Sequence, residues 1–120
     1  HLLPLAEELH RRTRAGLRQV YGGVAAGVAM GFCAATREDV TVEPAYLLER
    51  WQTFTAKAPG GLARLGEVEI AAAKLVYLRN TCCLYYTSEV GNGTLCGSCC
   101  LTPRDERLTA YEGGRPILTV

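Results

Sequence analysis

Five of the six cysteines in this chain lie within one short segment, Thr81 to Leu101 (TCCLYYTSEVGNGTLCGSCCL). Their spacing is C-C-x12-C-x2-C, followed directly by one further cysteine. A segment this rich in thiols either forms disulfides or binds metal, and both restrict how the chain around it folds. Three kinds of structure therefore compete: a disulfide framework, a zinc site and an iron–sulfur cluster.

The spacing fits these three structures unequally. Disulfides are disfavoured because neighbouring cysteines seldom bond to each other without strain. Zinc sites usually have two short cysteine or histidine hooks, and only Cys96-Gly-Ser-Cys99 is one. The adjacent Cys82 and Cys83 side chains diverge in extended backbone, which suits one ion poorly and a larger two-iron cluster better. Zinc and disulfides remain alternatives.

The loop between the two cysteine groups is rich in turn-forming residues. Gly91, Asn92, Gly93 and Gly97 are predicted to fold Cys96 and Cys99 back against the first pair. Glycine backbone can also approach cluster sulfides closely enough to donate N–H hydrogen bonds. The apolar side chains here are expected either to shield a cluster or to belong to the core: Leu84, Tyr85, Tyr86, Leu95 and Leu101.

Composition excludes several functions. A chain of 120 residues can bury a core without help from metal or disulfides. Its 13 basic and 12 acidic residues give no general attraction to nucleic acid.

The most apolar run, Gly22 to Ala35, is shorter than the roughly 20 residues of a membrane span and predicts a buried helix. No export signal is evident, so we expect a cytoplasmic protein without an integral membrane segment. His1 in place of methionine indicates part of a longer chain.

The first half of the sequence is helical in pattern. Apolar residues recur every three or four positions from Leu2 to Phe32, and glycines at 22 and 23 predict either a break or close packing. Pro44 is suited to begin a helix that stops at Ala58–Gly61, with Trp51 in the core.

The second half is less regular. Residues 62–79 fit a helix or a strand, and 107–120 predict a weak hairpin around Gly113-Gly114. We therefore predict a mainly α single domain with a C-terminal cysteine-rich cluster-binding loop and short β elements, residues 1–75 forming the helical core region and 76–120 the cluster-binding region. The alternative is α+β, with Val68 to Tyr86 as strands.

Outside the loop, one further cysteine and several arginines are predicted to have structural or supporting roles. Cys33, within the helical pattern, is predicted to be a small buried hydrophobe. Arginines near the N-terminus form either a solvated face or a basic rim for an anionic ligand, and Arg79 precedes the cysteine pair. The N-terminal group comprises Arg11, Arg12, Arg14 and Arg18.

The segment LRNTCCLYY…LCGSCCL resembles the C-terminal signature of FhuF-type ferric siderophore reductases, in which a vicinal cysteine pair and a C-x2-C hook bind a [2Fe-2S] cluster. By this resemblance Cys82, Cys83, Cys96 and Cys99 are the cluster ligands. The loop is slightly longer than in that family. Cys100 is an addition that competes with Cys99 for the fourth position, and we expect Cys99 because it completes the hook.

The resemblance implies an enzyme, an oxidoreductase that reduces Fe(III)-siderophore to release Fe(II) by one-electron transfer. Iron uptake would then depend on an electron donor such as a ferredoxin or an NAD(P)H-dependent reductase, because the chain has no dinucleotide-binding motif. The alternatives are a small [2Fe-2S] electron carrier and a structural zinc-binding module.

Overall fold

Three helices come first along the chain, and a two-stranded sheet and a fourth helix follow them. The structure, a computed structural model, describes residues 2–38, 41–96 and 98–113. Its elements are α1 (Leu2–Arg12), α2 (Leu17–Glu38), α3 (Pro44–Lys57), β1 (Gly66–Ala71), β2 (Lys74–Arg79) and α4 (Arg104–Glu112). Helix dominates and the sheet is small, which agrees with the predicted mainly α class and equally with the α+β alternative.

Helix α2 passes through its glycines without a break. A Cβ built on Gly22 would lie 2.0 Å from the Oγ1 atom of Thr81, so close packing is the role of this glycine. Gly23, Gly27 and Gly31 have no such neighbour within 4 Å. The prediction of close packing is therefore confirmed at Gly22 alone.

The ambiguous stretch before the cysteines forms a β-hairpin. β1 and β2 pair antiparallel, with Val68 opposite Tyr77. The two-residue turn is made by Ala72 and Ala73, whose φ angles are +50° and +60°. Positive φ at both central residues is the geometry of tight hairpin turns that match the twist of the strands. The strand prediction from Val68 onward is right as far as Arg79.

Trp51 joins three elements in the core. Its ring meets Phe32 of α2 edge-on at 5.7 Å and Tyr77 of β2 edge-on at 6.0 Å between centroids. Its predicted core position is confirmed, as is the start of α3 at Pro44. The main buried cluster draws on α2, α3, the hairpin and α4: Ala29, Cys33, Trp51, Val68, Ala71, Leu75, Val76, Tyr77, Leu78 and Tyr111.

The predicted terminal hairpin is wrong in its first part. Residues 104–112 form helix α4, with Asp105 and Glu106 in its first turn, where carboxylates favour the positive end of the helix dipole. Arg107 and Tyr111, four residues apart, share its buried face, which packs on the hairpin. Residues 114–120 lie outside the described residues.

Helix α2 is longer than the apolar run that predicted it. Within the described part of the chain, its segment Leu17–Arg37 is the one helical stretch with the length and apolarity to cross a membrane. This is weak evidence for a span, because a core helix passes the same test, and α2 packs against both α1 and β2. The absence of a membrane segment stays a prediction.

Candidate metal centre

The end of β2 places the vicinal cysteines beside helix α2. Thr81, directly before Cys82, is buried against Gly22. The N–H of Asn80 donates to the carbonyl of Leu65 at 2.8 Å, which extends the anchoring one residue past the strand. The start of the cysteine loop is therefore held on the core.

The loop after the pair folds back through the predicted turn residues. Gly91 has no room for a side chain, since a Cβ would lie 2.0 Å from the carbonyl oxygen of Tyr85. Asn92 and Gly93 both have positive φ, and the N–H of Gly93 donates to the carbonyl of Tyr86 at 2.9 Å. The predicted turn role is confirmed for residues 91–93, and Gly97 lies outside the described residues.

This fold brings the two ends of the loop together. The Sγ atoms of Cys83 and Cys96 are 3.4 Å apart, although 13 positions separate them along the chain. Partial burial opposes ionisation of Cys83, but the backbone N–H of Tyr85, the Cys96 thiol and the Arg79 charge together lower its pKa below 9.0. Burial, and then the neighbouring Cys83 thiol, raise the pKa of Cys96 to about 11. Cys83 therefore loses its proton before Cys96 as the pH rises.

The C-x2-C hook is a tight turn. The N–H of Cys99 donates to the carbonyl of Cys96 at 3.0 Å, and the Cys99 side chain is buried. Cys100 is half-buried, and burial, followed by the charges of Cys82 and Cys99, raises its pKa. The two candidates for the fourth ligand position therefore differ in burial, Cys99 being the more buried.

The thiols do not converge on one point. No group of three or more His, Cys, Asp or Glu side chains in the described ranges is arranged to hold a metal ion. In its donor chemistry the loop nevertheless fits an iron–sulfur cluster: all the loop cysteines are free, and the N–H of Leu84 points at the Cys82 sulfur at 3.3 Å. Cys33 is fully buried away from this group, as predicted.

Three guanidinium groups converge on the backbone just before the cysteines. Arg107 donates to the carbonyl of Arg79 at 3.0 Å, and Arg79 to the carbonyl of Thr81 at 2.8 Å. Arg18 makes a longer contact, 3.5 Å, with the carbonyl of Asn80. Among the described residues none of these arginines forms an ion pair, so their positive charge is available to an anion. The sequence had indicated Arg18 and Arg79 but not Arg107.

The remaining N-terminal arginines are not part of this group. Arg11 and Arg12 both pair with Glu8 on the exposed side of α1. Of the predicted basic rim, Arg18 contacts the backbone directly before the cysteine loop, at the carbonyl of Asn80.

The apolar side chains of the loop are more exposed than predicted. Leu84, Leu95 and Leu101 are 42%, 43% and 58% exposed, so the prediction that they are buried in the core is wrong. The backbone of Leu84 is in the left-handed region, with a positive φ.

Comparison of the chain with protein-family models, with curated proteins and with solved structures gives no match. The functional argument therefore depends on the cysteine motif and on the geometry described above.

Proposed function

We propose that this protein is a [2Fe-2S] oxidoreductase that reduces ferric siderophores, with Cys82, Cys83, Cys96 and Cys99 as the cluster ligands. The observation that carries the proposal is the 3.4 Å approach of the Cys83 and Cys96 thiols across the loop. It supports a shared centre because a two-iron cluster takes ligands from both ends of the cysteine motif.

The surroundings of the thiols support the same function. When bound, the cluster supplies one-electron transfer, and Fe(III) held by a chelate is released once it becomes Fe(II). Leu84, Leu95 and Leu101 are exposed in the loop, and Arg18 and Arg79 contact the backbone at its start, so apolar and cationic groups are both available to an anionic and partly apolar chelate. A ferredoxin or an NAD(P)H-dependent reductase would supply the electron.

The first experiment tests for the cluster itself. Protein purified without oxygen should be red-brown, contain iron and inorganic sulfide in equal amounts, and bleach with dithionite. Cys83→Ser should abolish the colour, whereas Cys33→Ser, outside the loop, should retain it as a matched control. Colourless protein that contains zinc would contradict the proposal and favour the zinc module.

A second pair of variants identifies the fourth ligand. Cys99→Ser should lose the cluster or shift its visible spectrum, and Cys100→Ser should leave both unchanged. The opposite result would assign the position to Cys100.

The final experiment tests the reaction. Reduced protein, freed of dithionite, is mixed with ferrioxamine, and Fe(II) is trapped by ferrozine. We expect about one Fe(II) per reduced cluster, as a one-electron couple requires. A cluster that stays reduced in the presence of the chelate would favour the electron carrier.

A further inference from the structure

Arg107 is a buried cation with no acidic partner in the described part of the chain. Its side chain is 7% exposed, and one of its nitrogens donates to the Arg79 carbonyl at 3.0 Å. Its Nε atom is buried and has no hydrogen-bond partner among the described residues. None of the ion pairs in the described ranges includes it. A buried charge left in this state is strongly destabilising unless an anion compensates it.

Arg104, one turn earlier on α4, has the opposite environment. Its guanidinium is exposed and lies 3.2 Å from the carboxylate of Glu67, and it also pairs with Glu69. The same helix therefore carries one arginine neutralised by carboxylates and one neutralised by none. This difference makes Arg104 a matched control for Arg107.

Arg107 lies beside the entry to the cysteine loop, because it donates to the carbonyl of Arg79, three residues before Cys82. Arg79 is held beside the vicinal pair by its bonds to the Thr81 carbonyl and hydroxyl, at 2.8 and 3.4 Å. Arg79, too, has no carboxylate partner in the described residues. Two guanidiniums thus border the loop from β2 and from α4.

We propose that Arg79 and Arg107 are the counter-charges of the thiolate centre and raise its reduction potential. This inference rests on the proposed function. Four thiolates and two sulfides around two irons would carry a net negative charge that grows by one on reduction, and net charge is one of the quantities that set the potential of a cluster. Nearby cations therefore favour both the bound cluster and its reduced form.

The first test is a redox titration of the holoprotein followed by absorbance and electron paramagnetic resonance. At the potential where the wild-type cluster is half reduced, Arg107→Met should lower the ratio of reduced to oxidised cluster at least about tenfold, or about 59 mV for a one-electron couple. Arg104→Met should change the ratio less than about twofold, since an exposed pair contributes little. Arg107→Lys, which keeps the charge, should restore most of the ratio.

The second test separates this role from a structural one. Urea midpoints are measured for the cluster-free and cluster-loaded forms of the wild type, Arg107→Met and Arg104→Met. A structural Arg107 would lower both midpoints of its variant alike. A counter-charge should instead make the gain on loading smaller in Arg107→Met than in the wild type, with no such change in Arg104→Met.

The outcomes distinguish the two proposals. A wild-type protein that takes up no iron contradicts the proposed function. If the cluster potential and the increase in urea midpoint on loading are the same in Arg107→Met as in the wild type, the counter-charge role alone is overturned.

If Arg107→Met does not fold, Arg79→Met decides, because Arg79 is only half-buried and should shift the potential in the same direction. An unchanged potential in that variant also overturns the inference. Folded arginine variants that lose the cluster while Arg104→Met keeps it would support it.

Discussion

At the scale of single residues, Gly22 determines how closely the cysteine loop approaches the core. It lies in the interior of α2, where glycine is otherwise unfavourable, and it faces the buried side chain of Thr81. Gly23, the next residue, faces open space. The two adjacent glycines therefore have different roles that the sequence alone does not distinguish.

Substitution of Gly22 by alanine should destabilise the protein by about 1–3 kcal/mol, because the added methyl group would overlap the Thr81 hydroxyl. It should also reduce cluster content, since Thr81 precedes Cys82. Gly23→Ala is the control and should stabilise by up to about 1 kcal/mol through helix propensity. Urea unfolding and the iron content of anaerobic preparations measure both effects. Equal effects of the two substitutions would contradict this role for Gly22.

Cys33 should make stability depend on alkaline pH. Burial raises its pKa from 9.0 to about 11 in the folded protein. The folded state therefore retains the proton longer, so the contribution of Cys33 is complete below pH 9.0 and is lost as the pH rises to about 11. The loss amounts to about 3 kcal/mol. Tyr77, whose pKa burial raises to about 12, adds a similar loss at higher pH.

Urea midpoints between pH 8 and 11, measured under reducing conditions on cluster-free protein, check this dependence. The Cys33→Ala variant should show a shallower decline than the wild type, whereas the loop thiols contribute equally to both proteins. Parallel curves would show that Cys33 does not titrate differently on folding.

At the scale of secondary structure, the hairpin turn is built from residues that do not favour it. Asn-Gly or Asp-Gly is the usual sequence for two successive positive φ angles, and this chain has Ala72-Ala73. In the left-handed region the Cβ of alanine is sterically unfavourable, and glycine has no Cβ. This explains why the sequence left residues 62–79 undecided between helix and strand.

Replacement of Ala72-Ala73 by Asn-Gly should raise the free energy of unfolding by about 1 kcal/mol, because the new residues tolerate positive φ. Ala56→Gly, at an exposed site inside α3, is the control and should cost about 1 kcal/mol. Urea unfolding measures both. A loss of stability in the turn variant would show that these alanines do not adopt the left-handed turn in solution.

The sequence at the start of helix α4 contains a helix signal that the hairpin prediction did not take into account. Pro103 followed by Arg104, Asp105 and Glu106 is a helix-start pattern, and the acidic residues lie in the first turn. The threonine and tyrosine that follow favoured strand instead. Packing of Arg107 and Tyr111 against the hairpin stabilises the helix, and that contact is not visible in local sequence.

At the scale of the whole molecule, the core and the cysteine loop are separate. The main buried cluster contains residues of α2, α3, the hairpin and α4, and none of its buried members lies between Cys82 and Leu101. The spacing of the cysteines predicted that the loop closes, and Cys83 and Cys96 confirm this. It could not predict which cations border the loop, because Arg107 reaches it from another element.

We expect the protein to remain folded without its cluster. Serine at all five loop cysteines should keep the far-UV circular dichroism and a single unfolding transition, with a loss of no more than about 2 kcal/mol relative to cluster-free wild type. Leu75→Ala, which creates a cavity in the core, is the comparison and should lower the free energy of unfolding by about 2–5 kcal/mol. A serine variant without a cooperative transition would show that the thiols contribute to the fold itself.

Both ends of the cysteine loop are anchored to the same hairpin, one by direct continuation of β2 and the other through the hydrogen bond from Arg107 to the Arg79 carbonyl. Insertions or deletions between these anchors change the length of the loop outside the core but leave the anchors in place. We therefore expect the segment to tolerate insertions and deletions. By the same reasoning it should be possible to graft it onto another hairpin–helix scaffold.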